Sequence, residues 1–313
     1  MVAYNNVIKK VKARFKYLIL NRPFVRKLVE YEANMLSLKI FFQEVKCLND
    51  AVSEEFKIIS LNNNTQKGQI PIVQHLSMLN YANKYKDKEC VIIGNGPSVS
   101  ISDLNQLSLK KITTFACNKF YLSYCDHQLR PDFTIACDQQ VISDFGFDIA
   151  EKSQPSTVCF ACDQGSKFNY SGFIRVLRRE TFGSEILFCK TPLFGVPSMG
   201  SVVIFGIQLA YYMGFSTIYL YGVDHDFKVE IDPDAKDPWR SAVNEGNHFI
   251  KNYRQGARWA PPATDLIENG FLLCQKEFEA DSRKLYNVSR RTKLPYVKRL
   301  DFDELFGGKK DLS

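Results

Sequence analysis

From Cys90 onward the chain repeats one pattern. Short apolar runs, each stopped by Gly, Pro, Asp or Lys, alternate with helical segments. The runs are Cys90 to Ile93, Ile112 to Cys117, Phe133 to Cys137, Thr157 to Ala161, Ile186 to Cys189 and Thr217 to Tyr221. A run that is apolar at every position has no solvent face, so both sides must be covered. Parallel strands between two helical layers meet that condition. Ser201 to Met213 reads as an apolar helix between two of the strands, and Thr264 to Arg283 as a later one. A strand from Lys284 to Val288 and a closing segment from Val297 to Phe306 complete the series.

The expected architecture is α/β: a Rossmann-like, doubly wound, mainly parallel sheet with an N-terminal helical extension. Residues 1–80 form the helical extension, 88–306 the Rossmann-like domain and 307–313 a frayed tail. Pro23 separates two helices in the extension, and the polar stretch 61–70 reads as a linker. Residues 71–88 read as a short helical or irregular lead-in.

Composition narrows the class. At 313 residues, 45% hydrophobic and 24% charged, the chain can bury a full core. Nine Cys with no apolar leader point to a reducing, cytoplasmic setting. Cys159 and Cys162 form a CxxC with no second ligand pair, so a buried strand explains them better than zinc. The many Phe and Tyr suit either an aromatic core or stacking on sugars and bases.

The net charge of +7 is concentrated at the start. Residues 1–29 carry eight Lys or Arg and no acid, with Ile8, Val11, Phe15, Leu18 and Ile19 at helical spacing. Such a helix can lie on the inner face of an anionic membrane. It can equally dock its apolar stripe on the protein and leave a solvated basic face. The helices also offer a surface for a homo-oligomer contact. Nucleic-acid binding is not expected, because the bases lack interleaved aromatics or a known module.

Candidate site residues fall at strand ends, on the edge where α/β folds bind ligands. Val91 to Ile93 runs into Gly94-Asn95-Gly96-Pro97-Ser98. Glycines let a phosphate approach the backbone, and Asn95 adds an amide. The turn is neither a Walker loop nor a six-residue dinucleotide fingerprint, since Val99 replaces the third glycine. Asn118 follows the second strand and Asp138 the third. Ser198, Gly200 and Ser201 precede the apolar helix, whose N-terminus suits an anion. Gly222 and Asp224 end the strand Thr217 to Tyr221. Asp224 and Asp226 could together hold Mg²⁺ on a diphosphate. Otherwise Asp224 accepts ribose hydroxyls and Asp226 is solvated. His225 and His248 lie in the loop beyond, where an imidazole can take a proton from a hydroxyl. A capping or surface histidine is the alternative for each.

Three segments together resemble known families. They are Ile92 to Ser98, Cys117 to Tyr121 and Ile218 to Asp224. They look like the bacterial sialyltransferases that decorate lipooligosaccharides. They are also similar to the MptE-like family, which contains archaeal 6-hydroxymethylpterin diphosphokinases and flagellin-modifying glycosyltransferases. Pro131-Asp132-Phe133, Asp138, Gly246 to Phe249, Arg258-Trp259 and Val297 to Phe306 strengthen the second likeness. It extends over roughly residues 88–306.

The resemblance implies a CMP-sugar held by Asn95 and Asn118, with Asp224 at the ribose. It implies that Ser198, Gly200 and Ser201 hold cytidine or a sugar carboxylate. The sialyltransferases carry two His four residues apart and use the second as base. Here His248 matches the first and Asn252 stands in place of the second. Tyr253, Arg254 and Arg258 are the candidates for anion or acceptor contacts.

The expected activity is transfer of an acidic, sialic-acid-like sugar from a CMP donor to a glycan or lipid-linked glycan, with inversion. No cofactor is required, because a departing monophosphate needs no metal bridge. Two alternatives remain: Mg²⁺-dependent pyrophosphoryl transfer to a pterin alcohol using Asp138, Asp224 and Asp226, and a nucleotide-binding subunit without turnover.

Overall fold

The structure, a computed structural model, describes residues 77–162, 173–178, 186–192, 195–237, 242, 246–254 and 259–307. The basic segment 1–29, most of the helical extension, Arg258 and the tail 308–313 lie outside the described residues. Among the described residues, no helix is long and apolar enough to cross a membrane.

Eight strands form one sheet in the order β5-β4-β3-β2-β1-β6-β7-β8. They are β1 (Glu89–Ile93), β2 (Thr113–Cys117), β3 (Phe133–Ala136), β4 (Thr157–Cys162), β5 (Phe173–Leu177), β6 (Thr217–Tyr221), β7 (Lys284–Asn287) and β8 (Lys298–Arg299). Every pairing is parallel. The chain winds outward from β1 to β5, then returns to place β6 on the other side of β1. The switch point therefore lies between β1 and β6, where the neighbouring crossovers part and leave a crevice.

The apolar runs are buried on both sides as their patterning requires. Val91 and Ile93 pack with Leu104 and Leu107 of α1 (Ile101–Leu109) and with Phe302 and Phe306 of α5 (Phe302–Phe306). Ala136, Val158 and Phe160 pack with Ile142 and Ile149 of α2 (Gln139–Lys152). On the opposite face runs α3 (Val202–Tyr212), which crosses β1, β2 and β3 and packs on α4 (Thr264–Ala280). Ten of its eleven residues are buried, as expected for a helix apolar all round. Phe115 stacks on Phe133 at 4.6 Å and meets Phe215 edge-on at 5.9 Å, so many of the aromatics are core. Cys159 is buried in β4, as the strand reading of the CxxC requires.

One predicted strand is wrong, and two strands, β5 and β8, lie where none was expected. Residues 186–189 are not a strand. Cys189 N–H donates to the Gln208 side chain at 2.8 Å, and Phe188 packs edge-on against Tyr211 and Phe278. The segment thus lines helices α3 and α4, and the Cys189 N–H is satisfied by a buried side chain. One edge strand is β5, whose Phe-Ile-Arg-Val-Leu carries a buried arginine that breaks the apolar run, and the other is the two-residue β8.

A polar chain ties β6 to α1 and to the N-terminal end of α5. The Tyr221 hydroxyl donates to Asp103 and accepts from the Ser100 N–H at 3.0 Å. Arg290 reaches Asp103 at 2.7 and 2.9 Å and also pairs with Asp303. Burial pushes the Asp103 carboxyl up, but bonds from Arg290, Tyr221 and Ser100 with the Arg290 charge outweigh it and hold it below its usual value. The stabilisation is therefore present above the unfolded carboxyl value and lost as pH falls through the folded one. Tyr221→Phe removes one donor from a buried carboxylate, and urea denaturation should show a loss of about 1–2 kcal/mol at pH 7. Its acid unfolding should begin at higher pH than in the parent.

Candidate functional site

The Gly94 to Ser98 turn follows β1 at the switch point, where it meets the end of β6. Gly94 N–H donates to the Tyr221 carbonyl at 2.8 Å and Gly96 N–H to the Gly222 carbonyl at 2.9 Å. A Cβ on Gly96 would lie 2.6 Å from the Gly222 oxygen and 2.8 Å from the Asp224 carboxyl carbon. The glycines thus let one backbone touch another, a use that requires no phosphate. Gly222 itself has φ of 70°, a left-handed conformation.

Asp224 is 4% exposed. Its carboxylate accepts from the Ser98 N–H at 2.7 Å and from the Ser98 hydroxyl. Burial raises its affinity for a proton, opposed by the Ser98 bonds and the Arg291 charge. Asp226 points elsewhere and pairs with Lys293 at 2.8 Å, which holds its carboxyl below the usual value. Asp138 caps α2, accepting from Gln140 N–H at 2.8 Å and Val141 N–H at 3.4 Å. The three carboxylates proposed for Mg²⁺ are engaged separately and do not form one donor set. Among the described residues, no group of three His, Cys, Asp or Glu could hold a metal ion.

Asn95 is more constrained than the sequence suggested. Its amide nitrogen donates to the Cys117 carbonyl at 2.9 Å and to the Tyr253 hydroxyl at 3.1 Å. A carbonyl can only accept, so the amide orientation is fixed and both N–H groups are used. What remains is Oδ1, buried and without a partner. Asn95 therefore presents an acceptor to a ligand, where the turn pattern suggested a phosphate donor. Asn118, with φ of 53° after β2, has a buried Oδ1 in the same condition.

The loop 246–254 closes over this floor. Phe249 N–H donates to the Asn95 carbonyl at 3.0 Å, and the Tyr253 hydroxyl accepts from both Asn95 and the Lys119 N–H. The His248 ring stacks on Tyr253 at 4.0 Å and 14°. Lys119 Nζ lies 4.9 Å from the same ring and 3.7 Å from Phe145. His248 Nδ1 is buried without a hydrogen-bond partner. Burial, then the charges of Arg254 and Lys119, push this imidazole down to about 3, so it is neutral at pH 7. Arg254 rests on the Trp259 ring at 4.0 Å. Asn252, which stands in place of a second histidine, is exposed at φ 54°.

Other candidates lie apart from this floor or serve the fold. His225 pairs with Glu268 of α4 at 2.9 Å and lines a cavity of about 660 Å³ together with Asp226, Phe227, Pro262 and Lys293. The two histidines thus have different surroundings. Ser201 caps α3, accepting from Val203 N–H at 3.2 Å. Ser198 O accepts from Ser201 N–H, and Gly200 is exposed with φ of 77°. Gln208 fixes this turn by donating to the Pro197 carbonyl at 2.8 Å. Asp132 accepts from Thr114 N–H at the other end of the strands, so its motif is structural. Lys119 was quoted in sequence only as part of a motif. The signal that could have singled it out is a cation two residues past the end of a buried strand.

Among solved structures, the chain is similar to a MAf glycosyltransferase from Magnetospirillum magneticum AMB-1. Identity is 17%, TM-score 0.42, with 81% of this chain and 42% of that one covered. The chain thus spans less than half the length of that protein. It is also similar to the sialyltransferase CstII from Campylobacter jejuni, solved with cytidine-5'-monophosphate, at 14% identity and TM-score 0.39, covering 69% and 86%. A third is the monofunctional alpha-2,3-sialyltransferase Cst-I from the same organism, at 12% identity and TM-score 0.38, covering 68% and 79%. No curated protein sequence matches the chain. The model of one family, described as 6-hydroxymethylpterin diphosphokinase MptE-like, matches residues 61–230, more than half of the 313. The chain belongs to the MptE-like family.

Proposed function

We propose that the protein is a glycosyltransferase that moves an acidic, sialic-acid-like sugar from a CMP donor to a hydroxyl of a glycan or lipid-linked glycan. The observation that carries this reading is the floor at the switch point. Three buried polar atoms there, Asn95 Oδ1, Asn118 Oδ1 and His248 Nδ1, lack partners, out of twelve such side-chain atoms among the described residues. Buried acceptors without donors are costly, and a polyhydroxylated ligand supplies the donors. Ribose and sugar hydroxyls fit that demand better than phosphate, which carries no hydrogen. The motif likeness of Asn95, Asn118 and Asp224 to CMP-sugar contacts points the same way.

In this reading the acceptor oxygen forms the new bond to the anomeric carbon as its proton passes to the His248 imidazole. The bond from that carbon to the phosphate oxygen breaks, and the electron pair leaves on CMP. Tyr253 orients the imidazole by stacking, and Asn95 orients Tyr253. No metal is needed for a monophosphate leaving group. Residues 1–29 would hold the enzyme at a membrane surface close to a lipid-linked acceptor.

A thermal-shift panel tests the donor class. CMP, UDP, GDP and ATP are each added with and without Mg²⁺ at saturating concentration. A ligand present at 100 times its Kd stabilises by about 2.7 kcal/mol, which is readily seen in Tm. The expected result is a metal-independent shift with CMP. A Mg²⁺-dependent shift with ATP and none with CMP would replace this reading with pyrophosphoryl transfer.

A further inference from the structure

We propose that Lys119 and Arg254 receive the anionic phosphate of the donor, and that its arrival converts His248 from an inert imidazole into the base. The inference rests on the transferase reading above and adds an order of events to it.

The geometry is a short stack. Tyr253 has the His248 ring against it at 4.0 Å and the Lys119 ammonium 4.9 Å from its centroid. Lys119 is 3% exposed, an unusual place for a lysine, and it directly follows Asn118 at the end of β2. Arg254 is half-buried and is held over the Trp259 ring. His248 is thus flanked by cations on two elements, the turn after β2 and its own loop. No carboxylate is among the groups that set its titration. Burial and these two charges make the empty-site imidazole a poor proton acceptor. Base catalysis works best when the group titrates near the working pH. An anion beside the two cations cancels the repulsion that a proton on His248 meets, so basicity rises when the donor binds. Without donor, the base stays neutral and weak, and the acceptor hydroxyl is not deprotonated.

The test is an NMR titration of the full chain with ¹³C-labelled histidine. The chain has four histidines, so His248→Gln assigns the resonance by its loss. Spectra are taken across pH in the free protein and with saturating CMP, with binding checked by Tm. The expected result is a midpoint that moves up by about 2 pH units with CMP. Lys119→Met removes the charge and keeps an unbranched side chain, and it should raise the midpoint in the free protein while shrinking the CMP-induced step. Arg254→Gln should act in the same direction, which guards against a Lys119 variant that folds poorly. A midpoint unmoved while CMP is bound would overturn the inference and leave the donor reading intact. If ATP shifts Tm and CMP does not, the donor reading falls, and the same titration with ATP decides the inference. If no nucleotide binds, both are overturned.

Discussion

His248→Gln is expected to lower kcat about a hundred- to ten-thousandfold, the usual range for loss of a general base. CMP affinity should change little, because the amide can still lie against the Tyr253 ring. The measurement is CMP release from a CMP-activated nonulosonic acid with a glycan acceptor, alongside calorimetric CMP binding. A variant that keeps full turnover would move the base elsewhere, and His225 with its Glu268 partner would be the next candidate. The pH profile carries a second signature. The acid limb of kcat/KM for the donor reports the free enzyme, where His248 is pushed down to about 3. The acid limb of kcat reports the complex, where the bound anion lifts it. The limb of kcat should therefore lie at higher pH than that of kcat/KM. A protein that binds CMP without turnover in either form would fit the non-catalytic alternative.

Gly222→Ala is expected to be the most damaging substitution at the switch point. Its φ of 70° costs a residue with a side chain about 1–2 kcal/mol. The added Cβ would also lie 2.3 Å from Val99 Cγ2 and 2.9 Å from the Gly94 oxygen. Overpacking of that kind typically adds about 1–3 kcal/mol. A total near 4 kcal/mol corresponds to a fall in Tm of roughly 10 °C for a domain of this size. Gly96→Ala should cost less, since it meets the Gly222 backbone and the Asp224 carboxylate without the dihedral penalty. Gly246→Ala is the control, because its nearest neighbour is Lys228 Cδ at 3.8 Å. Thermal denaturation of the three variants ranks them. Equal Tm values would mean that the turn shifts freely to accept a methyl group.

Much of the fold was legible in the residues because buried parallel strands leave a plain mark. Five of the six runs from Cys90 onward became strands at or near their expected bounds. The exception shows the limit of the signal. Residues 186–189 are apolar because they face helices, and a short run does not say which neighbour it faces. Arg175 hid β5 for the opposite reason.

The site was legible in outline. Strand-end residues Asn95, Asn118 and Asp224 do gather at the switch point, as topology demands. What the sequence could not supply was the direction of each hydrogen bond. Asn95 looked like a donor until Cys117 and Tyr253 were seen to use both its hydrogens. The pairing of His225 with Glu268 and the stack of His248 on Tyr253 depend on helix and loop placement, which spacing does not encode. The Asp224/Asp226 pair illustrates the same point. Two residues apart on an extended segment they would share one face, but His225 between them has φ of 50°, and one carboxylate projects onto Ser98 and the other onto Lys293.

The Asn247 amide grips Lys228 twice, taking its N–H and giving to its carbonyl, both at 2.7 Å. That clasp brings together the two ends of the excursion 229–246. Within the excursion, Ala242 exchanges two backbone hydrogen bonds with Trp259, the ring on which Arg254 rests, at 3.0 and 3.1 Å. The arrangement holds the excursion at two places, at its base through Lys228 and within it through Ala242. Chimeras cut at Lys228 and Asn247 should therefore keep a residue at 242 that pairs with Trp259, so that the ring beneath Arg254 stays in place.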